Sequence, residues 1–152
     1  MKKVAFLGTV VALLLSMAAP AVVMADQSYH TERLPLTLTA AGEAAGHTLR
    51  NGMVVNSHPN GPVNGAIETY VLVGATPNTE YAISWVVEGV GTVPTGVVVS
   101  TDKQGNGRAQ MHIPRQWQID MGLTNLDLRI MWVFVSSGVD VYVTDWTDVH
   151  ID

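Results

Sequence analysis

The chain has 152 residues, with 8 Lys and Arg against 13 Asp and Glu for a formal net charge of −5, and no cysteine. That length suits a single domain, and the acidic balance argues against a partner held by phosphate contacts, such as DNA or RNA. Without a thiol there are no disulfides, no thiolate catalysis, no thiolate metal site and no bacterial lipid-anchor cysteine.

Lys2 and Lys3 precede an almost unbroken apolar run, and Val23-Met24-Ala25 supplies small or tolerated residues before Asp26. This is the pattern of a secretory signal peptide over residues 1–25, cleaved near Ala25. The run reaches bilayer-spanning length only if Pro20 is counted, and no Lys/Arg stop-transfer cluster follows, so cleavage is expected over retention as an anchor. The leader takes two of the basic residues and none of the acids, which leaves 6 basic against 13 acidic in residues 26–152. One secreted or periplasmic domain with no membrane anchor is expected there, and no Asn-x-Ser/Thr acceptor is present.

Taken in chain order, residues 34–40 read as a first strand, with Pro35 marking a protected edge because it donates no ladder hydrogen bond. Residues 47–50 and 53–57 read as a hairpin across Asn51-Gly52, a favoured turn dipeptide. Residues 66–73 give a further strand. Over 80–88, alternation places Tyr81, Ile83, Trp85 and Val87 on one face. Shorter runs at 96–101 and 108–113 follow. Over 126–135 the same period turns Leu126, Leu128, Ile130, Trp132 and Phe134 inward, with Asp127 and Arg129 outward. Residues 139–146 close the series. No segment has an amphipathic helical repeat of useful length, and Asn-Gly at 51, 60, 64 and 106 offers the positive φ of tight turns. Eight or nine short strands at this spacing predict an all-β, antiparallel two-sheet β-sandwich rather than an open sheet, with a closed barrel as the alternative.

Two stretches carry a resemblance. The segment from Val73 through Pro77 to Tyr81 resembles the corner of fibronectin type III and other immunoglobulin-like domains, in which a Pro-containing turn precedes a Tyr. The resemblance implies that the Tyr81 hydroxyl ties back to upstream backbone. Residues 101–107 are similar to hairpin turns of secreted bacterial immunoglobulin-like modules. Both bear on the fold alone, since the chain runs on well past the point where those domains end.

Antiparallel strands alternate in direction, so successive connections fall at opposite poles. Counting them puts 51–52, 74–79, 102–107 and 136–138 at one pole, and the mostly longer 41–46, 58–65, 89–95 and 114–124 at the other. Irregular loops on a rigid scaffold are where such folds carry function. That pole collects Trp117, Arg115, Asp120, His58 and Asn60 as candidate ligand-binding residues, with Asn64 and, from the last strand, Asp145, Trp146, Asp148 and His150 nearby. A flat indole among polar side chains suits a carbohydrate ring or a loop of an extracellular protein. The structural alternative makes Trp117 and Ile119 a lid over the open end of the sandwich.

The five histidines show no metal-ligand spacing, and a site from His58 and His150 would have to be assembled across the fold. Asp102, Gln104 and Asn106 resemble the start of a calcium loop but lack its downstream Glu, which favours a plain turn. No nucleophile elbow, phosphate loop or pair of inward carboxylates is evident, and Asp and Glu fall mainly at strand ends or on outward positions. The reading is an exported, non-catalytic binding or structural module with no cofactor. Its rival is an extracytoplasmic metal-binding (Cu, Zn or Ca) or hydrolytic domain using His58, His150 and nearby acids.

Overall fold

The computed structural model describes residues 30–58 and 64–151. The expected leader, Asn60 and the Asn60-Gly61 turn lie outside the described residues. Among the described residues, ten strands and two short helices follow in the order β1 (His30–Pro35), β2 (Thr37–Leu38), α1 (Ala40–Ala44), β3 (Asn51–His58), β4 (Asn64–Val73), β5 (Glu80–Val87), β6 (Gly91–Ser100), β7 (Gly107–Pro114), α2 (Arg115–Asp120), β8 (Leu126–Ser136), β9 (Val139–Val143) and β10 (Thr147–Ile151). One sheet has the order β1-β3-β4-β7. The other runs β2-β9-β8-β5-β6, with β10 also paired to β8. Every pairing is antiparallel. The fold is an all-β sandwich, and no helix among the described residues is long and apolar enough to cross a membrane.

Alternation decides which side chains meet between the layers. On β5, Tyr81, Ile83 and Val87 are buried; on β8, Ile130, Trp132 and Phe134; on β4, Ala66, Glu68, Tyr70 and Leu72. Tyr70 and Phe134 meet edge to face across the two sheets, with ring centroids 5.9 Å apart. Such contact adds modestly to the apolar area each ring removes from water.

Two strands are interrupted for clear reasons. Between β1 and β2, Leu36 donates its backbone N–H to Gly52 of the first sheet before Thr37 pairs with Val143 of the second, so one extended segment changes layers. β9 and β10 share one edge of β8. At the bend between them, the Thr144 hydroxyl accepts the backbone N–H of Trp132 at 3.1 Å, standing in for a ladder carbonyl.

The expected hairpin over 47–57 is not formed. Residues 47–50 lie outside any strand, and Arg50 N–H bonds the carbonyls of Val73 and Gly74. A helical turn occupies 40–44 instead, capped by the Thr39 hydroxyl, which accepts from Gly42 N–H at 2.9 Å. Removing the extra strand moves connection 41–46 to the opposite pole, beside β9. Long connections therefore occur at both poles.

Residues 89–95 are mostly strand rather than loop. Their Gly and Pro content reads as a connection, but β6 is an edge, where Pro94 leaves no inner ladder bond unmade, and the register shifts between Ala82 and Ser84. Gly52, Gly65 and Gly107 open strands without positive φ. Gly107 is required by close approach, since a Cβ there would lie 2.8 Å from the Ser100 carbonyl oxygen.

Candidate functional site

At the pole where β3, β5 and β7 end, the two sheets do not close on each other. A cavity of about 350 Å³ lies between them, under α2. Its depth is set by β4, whose inward series Ala66, Glu68, Tyr70 and Leu72 brings a carboxyl into an otherwise apolar face. From the other sheet, Trp85 and Trp132 are direct cross-strand partners, so both indoles approach the same level. Ile113 and His58 form one wall; Val87 and Ile130 form the other. Trp117, Gln118 and Met121 cover it from α2 and the residue beyond.

Glu68 is 3 % exposed. Its Oε2 accepts hydrogen bonds from Trp132 Nε1 at 2.9 Å, from Trp85 Nε1 at 3.1 Å and from the Tyr70 hydroxyl. Burial pushes its pKa above the usual carboxylate value, and these three donors pull in the opposite direction without overcoming it. Tyr70 is driven well above the ordinary phenol range, by burial first and then by the adjacent Glu68 charge. The expectation that acids sit at strand ends or outward positions fails here. The signal was present in the sequence, since Glu68 shares the parity of Tyr70 and Leu72.

Of the residues proposed from sequence, His58 and Trp117 meet at this cavity. His58 is buried, and its Nε2 accepts from the Asn56 amide at 3.0 Å. Trp117 is 42 % exposed at the mouth, which matches the expected lid position, but Ile119 does not join it in lining the cavity. Arg115 is half-buried and does not line the cavity. Asp120 is exposed and accepts from Gln116 one helical turn back, at 2.8 Å. Gln118, absent from the sequence-derived set, is the buried residue of α2. It packs against Gly65, where any Cβ would overlap its carboxamide. Val90, Met121 and Leu126 form an exposed apolar rim.

His150 goes elsewhere. It stands exposed on β10, with Nδ1 2.7 Å from Asp127 Oδ1, while His58 faces the interior of the other sheet. The two do not form a joint site, and no group of three or more His, Asp or Glu suited to a metal ion occurs among the described residues. Asp145 and Trp146 lie at the exposed β9–β10 bend, with Arg129 5.7 Å above the indole. Asp102 caps its own turn, accepting from the backbone of Gln104 and Asn106 at 2.8 Å, and these bonds hold its carboxyl below the usual range.

The Tyr81 hydroxyl does not return to upstream backbone as the corner resemblance implied. It pairs with the Tyr142 hydroxyl at 3.0 Å and His47 Nδ1 at 3.3 Å. The bond to backbone is made by Tyr142, which donates to the Thr48 carbonyl at 2.6 Å.

Fold and cavity together define the class: an antiparallel β-sandwich with an interior apolar chamber at one pole. Comparison with known families, curated proteins and solved structures finds no match to this chain.

Proposed function

We propose that this protein is an exported, non-catalytic binding module that takes a small, mainly apolar molecule into the chamber beneath α2. The chamber carries the reading. Its volume of about 350 Å³ falls at the low end of small-molecule sites, roughly 300–1,000 Å³. Its walls are aliphatic and aromatic with few polar groups, and the rim of Val90, Met121 and Leu126 offers an apolar path inward. A sugar ring would leave most of its hydroxyls without partners on such walls, which disfavours carbohydrate inside the chamber. Among the described residues, every hydrogen bond Glu68 makes comes from a donor to Oε2, and no second carboxyl bonds to it, so binding suits it better than catalysis.

The test is titration of residues 26–152 with the neutral apolar fluorophore N-phenylnaphthylamine. Saturable one-to-one binding is expected, abolished by Ile113→Trp, which fills the chamber from its wall. Absence of saturable binding by the unmodified domain overturns the reading.

Recognition of an extracellular protein at the same pole is a second reading, favoured by Trp117, Ile119 and Met121, which are 42 %, 50 % and 60 % exposed on or just after α2. Ile119→Ser separates the two. It lies outside the chamber, so it weakens retention of a protein partner while leaving the fluorophore's affinity unchanged.

A further inference from the structure

The chamber's polar atoms are unbalanced in one direction. All three hydrogen bonds that Glu68 makes with described residues end on Oε2, and Oε1 receives none of them. Two other polar atoms of lining residues, Asn56 Oδ1 and Gln118 Oε1, the latter set against Gly65, are buried without a partner among the described residues, and both are acceptors. A buried polar atom without a partner carries a desolvation cost that a complementary ligand group removes. Among the described lining residues, the deficit is of donors.

It is also a deficit of positive charge. Three donors gathered on one oxygen are the hydrogen-bond set of an ionised carboxylate. No Lys or Arg occurs among the described lining residues, and the other titratable group there, His58, is tied through Nε2 to Asn56. Trp85, Trp117 and Trp132 line the same space, and indole is the side chain best suited to a neighbouring cation. The chain's net charge of −5 favours the approach of cations over anions.

The geometry points to a primary amine as the polar end of the ligand: an apolar alkyl- or arylamine whose ammonium donates to Oε1 of Glu68 while its hydrocarbon part fills the chamber. This rests on the small-molecule reading above and narrows it to a chemical class. Burial of Glu68, which without a partner disfavours its charged form, is consistent with a site completed by the ligand's charge.

The test compares three ligands of one chain length, n-octylamine, n-octanol and octanoic acid, by calorimetry at pH 7, with quenching of the chamber tryptophans as a second readout. Octylamine is expected to bind about tenfold or more tighter than octanol, in keeping with a charge-assisted hydrogen bond. In Glu68→Gln that advantage disappears, amine and alcohol then binding within about twofold of each other. Equal affinity of amine and alcohol for the unmodified protein overturns the amine inference and leaves the chamber reading standing. Tightest binding by octanoic acid overturns it too, since Glu68 would then act as a protonated donor. If none of the three binds, the chamber reading itself fails.

Discussion

The two poles of this sandwich use the same strands and the same alternation but finish the core differently. Away from α2, Tyr81, Tyr142 and Phe134 pack ring against ring, with centroids 5.0 Å and 6.2 Å apart. Their polar ends are matched: Tyr81 to Tyr142 and His47, and Tyr142 to the Thr48 carbonyl. At the α2 pole the aromatic side chains turn their donors onto one carboxyl, and a space remains beyond it. A filled, satisfied interior stabilises. The unfilled one, with its spare acceptors, is where the proposed ligand is placed.

The contrast is broken most directly at its packed side. Phe134→Ala should cost about 3–5 kcal/mol by urea denaturation, because the ring is fully buried between Tyr70 and Tyr142 and its removal leaves a cavity between the sheets. A cost below about 1 kcal/mol would mean that this pole is loosely packed too. Tyr142→Phe keeps the ring and removes the hydroxyl, leaving the Thr48 carbonyl and the Tyr81 hydroxyl short of a partner. About 1–2 kcal/mol should be lost, with ligand binding at the other pole unchanged.

The smallest effect belongs to the chamber and depends on pH. Glu68 holds its proton more tightly in the folded chain than at the usual value of 4.5. Its contribution to stability is therefore whole below that value and is lost as pH rises through the higher folded value. Glu68→Gln has no such titration, so its stability relative to the unmodified protein should improve as pH rises above 4.5, until the folded carboxyl has ionised, read by urea midpoints across a pH series. Parallel curves would show that Glu68 is not desolvated as its burial implies.

Much of the fold could be read without coordinates, and the reasons are local. The inward series on β5 and β8 was visible as period-two alternation, because a buried face of a sheet leaves that trace directly in the chain. Pro35 was correctly read as edge: it lies in β1, at the margin of its sheet. The errors were also local. Asn51-Gly52 has the composition of a hairpin turn but opens β3, and β6 was half-hidden by Gly91, Pro94 and Gly96. At the site, strand counting brought His58 and Trp117 together even though it moved 41–46 to the wrong pole, because that miscount lies before β3 and drops out of every later connection.

By itself the sequence determined the alternation of side chains, and hence an all-β fold with its aromatic core, because burial on one face of a strand is written residue by residue. Only the tertiary structure decided that Trp85 and Trp132 aim their indole N–H groups at Glu68, and that α2 lays Gln118 over Gly65 to roof a chamber. Those arrangements join strands far apart in the chain, and what remains empty between two sheets depends on how the layers stack, which no single strand encodes.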